Sequence, residues 1–164
     1  MTTRAGIFAV LIFLLAVGCT SRPAAELPAN AYYTKSAEDI AGPAFLLGWK
    51  RENKVSFMSD YLSWAEVIDG KVVKSGMSRW HQPIAIETGK REIVAIFEMG
   101  ARRATAELSF VAEPGKAYQV VHRCDDSRLS WVEFWIQEME SREAVSDVVH
   151  VETSGRTAYV PIFL

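Results

Sequence analysis

The chain has 164 residues, 18 Lys and Arg against 20 Asp and Glu, and a net charge of −2. Such a balance lacks the concentrated basic surface that nucleic-acid binding needs. Hydrophobic residues make up 49% of it, which suits a domain with a proper core, and two cysteines, Cys19 and Cys124, are too few for a disulfide framework.

Arg4 is the sole charge before residue 22, and residues 5–17 read AGIFAVLIFLLAV. A short positive region followed by such a run is the layout of an export signal. A membrane-spanning helix needs about 20 apolar residues, and this run stops short at Thr20, Ser21 and Arg22. The spacing therefore predicts a signal-peptide helix over residues 1–18. Leu15-Ala16-Val17-Gly18-Cys19 resembles the lipobox of bacterial lipoproteins, with Ala16 where Leu is commoner. The resemblance implies lipid (palmitate) on the Cys19 thiol, cleavage before that cysteine and a membrane anchor. Each buried methylene adds roughly 0.8 kcal/mol, so one chain holds marginally and two or three hold firmly. The competing reading is an ordinary signal peptide with an incidental cysteine. The position of Cys19 at the end of the apolar run favours the lipoprotein. By resemblance to enterobacterial sorting, Thr20 after the cysteine implies an outer-membrane address facing the periplasm.

Removal of residues 1–18 leaves 146 residues with a net charge of −3. With Cys19 spent on lipid, Cys124 has no partner for an internal disulfide. It reads as a small packed residue, or as an exposed thiol beside Asp125 and Asp126, whose carboxylates disfavour the thiolate. Residues 19–40, rich in Ala, Pro and small polar types, read as a flexible tether. Twenty residues of coil span about 25 Å. Tyr32 and Tyr33 are placed to dock back, and residues 37–40 can form a single turn.

Residues 41–164 read as one β-sandwich domain. Strands are expected at 45–49 and 61–68, and the latter is followed by Asp69-Gly70 and Val72-Val73. Asp-Gly between apolar stretches favours a two-residue hairpin turn. Residues 84–86, a turn at Thr88-Gly89-Lys90 and residues 93–97 read as strand, turn, strand. Residues 104–112, a turn at 113–116 and residues 117–123 read the same way, and Gly89-Lys90 and Gly115-Lys116 look like hairpin turns. Leu108, Phe110 and Ala112 share one face, opposite Glu107 and Ser109. A further strand covers 131–138, with a loop after Met139, and residues 145–151 supply a last hairpin partner. The fold class is an all-β, antiparallel β-sandwich of roughly seven to nine short strands.

Val67-Ile68-Asp69-Gly70-Lys71, and the stretch from Pro83-Ile84-Ala85-Ile86 through Gly89-Lys90 into Ile93-Val94-Ala95-Ile96, resemble the PEGA-like β-domains of bacterial envelope proteins. Ala106-Glu107-Leu108-Ser109-Phe110, residues 114–118 and Trp135-Ile136 are similar to the continuation in small proteobacterial lipoproteins. The chain departs from that pattern at Thr88 and Lys90-Arg91-Glu92, and in an extra loop at 75–82. The resemblance implies an envelope β-sandwich and brings no catalytic residues with it.

The sequence contains no HExxH, GxSxG, P-loop or GxGxxG motif. His122 and Cys124 alternate onto one face of a strand end, but Arg123 and the lack of a further ligand argue against a metal site. A strand end at the surface is the plainer reading. No cofactor and no metal are expected. Trp131, Glu133 and Trp135 share a strand face, opposite Val132, Phe134 and Ile136. That face is either buried, with residues 157–164 (TAYVPIFL) as the cover, or open as a contact for a sugar or peptide. Trp80, in Trp80-His81-Gln82, is the other contact point expected of an anchoring aromatic. The expectation is a non-enzymatic lipoprotein that binds another envelope component. The alternative is a small-ligand module for a glycan or lipid, and a hydrolase is the remaining class.

Overall fold

Alternation decides the architecture. In β8 (Arg102–Ala112) the side chains of Ala104, Ala106, Leu108, Phe110 and Ala112 are buried, while Glu107, Ser109 and Val111 are exposed. In β10 (Trp131–Glu138) Val132, Phe134 and Ile136 are wholly buried. A strand with one apolar face needs a second such face to cover it, and the computed structural model, which describes residues 29–53, 59–74, 79–125 and 128–155, meets that need with two mixed sheets forming a β-sandwich.

The seven-stranded sheet runs β1 (Tyr32–Tyr33), β5 (Lys71–Val73), β4 (Tyr61–Ile68), β7 (Gly89–Met99), β8 and β12 (Ser154–Gly155), with β3 (Trp49–Arg51) also paired to β4. The five-stranded sheet runs β11 (Val149–Glu152), β10, β9 (Ala117–Cys124), β2 (Ala44–Leu47) and β6 (Ile84–Ile86). Ile68, Ile93, Ala95 and Phe97 from the larger sheet meet Leu46, Tyr118, Val120, Val132, Phe134 and Ile136 from the smaller. Each large apolar side chain so buried contributes about 1.5–3 kcal/mol.

Asp69 (φ 48°) and Gly70 (φ 74°) both adopt the left-handed region between β4 and β5, as the hairpin expected there requires. A bulge at Glu66 shifts the β4–β7 register between Ala65 and Val67. It reverses the alternation, so Ser63 and Ala65 face inward before it and Ile68 after it. The turn expected at 37–40 is a short 3₁₀ helix, Ala37–Asp39, on which the Asp39 carboxylate accepts the backbone N–H of Ser36 at 3.0 Å. Of the expected tether, Tyr32 and Tyr33 are part of the larger sheet as β1.

Other expectations are corrected. Residues 45–49 are not one strand. The chain breaks at Gly48 and passes from β2 in one sheet to β3 in the other. A Cβ on Gly48 would overlap the Ser63 carbonyl and lie 2.8 Å from that of Trp80, so only glycine fits this corner. Neither Gly-Lys segment closes a hairpin. Gly89-Lys90 opens β7, and β6 and β7 lie in different sheets. Residues 113–116 likewise carry the chain from β8 across to β9. The long hairpin is instead β7–β8, paired from Gly89↔Ala112 to Met99↔Arg102. Two pairings, β1–β5 and β2–β9, run parallel, because the strands they join are reached by crossing between sheets.

Candidate functional site

The outward face of β10 carries Trp131, Glu133 and Trp135 side by side, each half-buried. Four residues along a strand separate the two rings by about 13 Å. Glu133 lies between Arg123 of β9 and His150 of β11 in the strand register. Its Oε2 accepts the Arg123 Nε–H at 2.7 Å and also pairs with Nη2. Its Oε1 lies 3.7 Å from His150 Nδ1. The Glu133 side chain is 18% exposed, against 67% for Arg123 and 57% for His150, so the arginine and the imidazole form the outer rim and the acid sits beneath them. Trp131 stacks on the His150 ring at 5.3 Å and 29°. Trp135 is opposite Val121, which is 6% exposed although it is on the outward side of β9. The result is a strip of flat aromatic surface broken by a polar trio, the Arg123–Glu133 ion pair with His150 beside it, chemistry suited to a partner that supplies both apolar area and a hydrogen-bonding or charged group.

Trp80 lies apart from this strip. Its carbonyl accepts the Gly48 N–H at 2.8 Å, its ring meets that of His81 edge to face at 5.5 Å, and it is half-buried. Among the described residues no hydrogen bond or ring contact joins it to Trp131, Glu133 or Trp135. Cys19 and the segment 157–164 lie outside the described residues. Arg123 and His150 escape the sequence reading because only strand pairing brings them to Glu133.

His122 is not at a surface strand end. It is 2% exposed, in phase with Tyr118, Val120 and Cys124 on the inward side of β9. Its ring meets Trp49 at 4.6 Å and Phe97 at 4.8 Å, both edge to face. Nδ1 lies 3.0 Å from Ser63 Oγ, and that hydroxyl donates to the Val120 carbonyl at 2.7 Å. The hydroxyl proton is thus engaged, which makes Nδ1 the protonated nitrogen and leaves Nε2, buried without a hydrogen-bond partner, as a bare lone pair. Burial, with the Arg51 charge adding to it, pushes the imidazole down to about 3. Alternation along β9 was the signal that could have placed it inside. Cys124 is buried rather than exposed, and Arg51 Nη2 donates to its Sγ at 3.1 Å.

Among the described residues there is no group of three or more His, Cys, Asp or Glu placed to hold a metal ion, and no helix long and apolar enough to cross a membrane. Comparison with family models, with curated proteins and with solved structures found no match to the chain.

Proposed function

We propose that this chain is a small envelope lipoprotein of the PEGA-like kind, held by lipid on Cys19 to the periplasmic side of the outer membrane. It works without catalysis, as a binding or structural component that contacts another envelope protein. The observation that carries the reading is the outward row Trp131, Glu133 and Trp135, with Arg123 and His150 as its rim. Tryptophan and arginine are the residues most often found anchoring protein interfaces. The partly shielded Glu133 holds Arg123 ready in one orientation rather than leaving it to be ordered on binding. The sequence of residues 1–19 supports the address.

The test uses crosslinking in intact cells. The wild-type chain is expected to give a defined protein adduct that a Trp131→Ala/Trp135→Ala double variant loses by roughly tenfold, with its far-UV circular dichroism unchanged. An adduct that survives both substitutions overturns the face. Clickable palmitate should label the wild type and leave Cys19→Ser unlabelled, and equal labelling overturns the anchor. A second reading, a module for a small glycan or lipid, is favoured by a groove of about 520 Å³ on another side of the sandwich.

A further inference from the structure

On one side of the sandwich the larger sheet ends in β1 and β5 and the smaller in β6. Tyr33 bridges these margins, its hydroxyl donating to the Ala85 carbonyl at 2.9 Å. Burial and the nearby carboxylates of Asp69 and Glu87 push the phenol up to about 12, so it stays a neutral donor. Beside this bridge lies an open groove of about 520 Å³. Phe45, Val73 and Ile84 contribute apolar surface to it, and Lys35, Lys74 and Arg79 are its charged lining residues. None of the described lining residues is a carboxylate, which sets the groove apart from a chain whose net charge is −2.

The three cations are not equivalent. Lys35 is already paired with Glu87. Lys74 stands over the Tyr32 ring, 4.5 Å from its centroid, and has no carboxylate partner among the described residues. Arg79 has no side-chain partner among them at all. Two exposed cations without counterions, next to half-buried Phe45 and Ile84, fit a ligand that is anionic at one end and apolar at the other.

We infer that this groove binds the headgroup and first acyl carbons of an anionic phospholipid. The phosphate sits between Lys74 and Arg79, and the glycerol and chain carbons lie on Phe45 and Ile84. The choice of a bilayer lipid rests on the proposed anchor at Cys19. From there to Ala29, where the described residues begin, ten residues of chain reach at most about 35 Å, which limits how far the groove can stand from the headgroups. The two cations attract an anionic headgroup, and the apolar floor adds selectivity for lipid over a bare anion.

The full chain in a nonionic detergent is titrated by calorimetry with dihexanoylphosphatidylglycerol, dihexanoylphosphatidylcholine and inorganic phosphate. Saturable binding of the phosphatidylglycerol is expected, with the other two probes weaker by roughly tenfold or more. The Lys74→Gln/Arg79→Gln variant, altered at exposed positions, should lose the preference for phosphatidylglycerol. Equal binding of the two lipids, no binding of phosphatidylglycerol, or unchanged binding in the variant overturns the assignment. Phosphate binding as tight as the lipid's makes this a free-anion site and overturns it as well. Because these titrations need no membrane, a failed palmitate label would remove the anchor and leave this result standing.

Discussion

A histidine with a bare Nε2 inside an apolar sandwich makes the fold sensitive to acid. The folded His122 is held down to about 3, against an ordinary value of 6.5. Above pH 6.5 neither the folded nor the unfolded chain protonates this ring, and stability is unaffected by it. Below 6.5 the unfolded chain takes up a proton that the folded chain refuses, so stability falls as pH falls, until the folded ring titrates near 3. Between pH 6.5 and pH 4 the loss is on the order of 3 kcal/mol. Replacing His122 with Leu removes this titration. Urea midpoints measured from pH 7 to pH 4 should fall less steeply for the variant, and parallel profiles would show that the ring takes no part. Carboxylates held low by hydrogen bonds, the exposed Asp39 on Ser36 and the little-exposed Glu138 on Ser141, add an acid sensitivity common to both proteins.

Strands β2 and β3 owe their separate existence to one glycine. Gly48→Ala forces backbone apart at Ser63 and Trp80, and should cost about 3 kcal/mol. The measurement is the denaturation midpoint, and a loss under ~0.5 kcal/mol would mean that the corner relaxes freely. The elements themselves were largely legible: β4 and β10 have the expected bounds because apolar runs and turn residues frame them, and Asp69-Gly70 fixed its hairpin through local sterics. Pairing was not legible. Gly89 and Gly115 supply positive φ whether the chain doubles back within a sheet or crosses to the other, and nothing local separates the two cases. The bulge at Glu66 left no mark either, since it depends on β7 lying alongside. For the same reason Trp131, Glu133 and Trp135 could be placed on one face, but Arg123 and His150 could not be placed beside them.

Across the whole molecule the two sheets share one core and are bridged by crossing segments, by Tyr33 on Ala85 and by the Ser63–His122 pair. They should therefore unfold together. Tryptophan fluorescence reports both halves, through Trp64 in the larger sheet and Trp131 and Trp135 in the smaller. Its denaturation curve should coincide with that from far-UV circular dichroism. A separation of the two curves would mean that one sheet opens ahead of the other.

Among the described residues three margins are very short pieces, two residues in β1, three in β6 and four in β11, whereas β12 pairs only with Arg102 and Arg103 at one end of β8. A long bare margin offers its amides and carbonyls to any neighbour and seeds fibre growth. Stubs of two to four residues give an incoming chain too little ladder to hold. The margins at β1, β6 and β11 therefore give crowded copies of this protein little ladder on which to stitch into polymers, and the flat faces remain available for specific encounters.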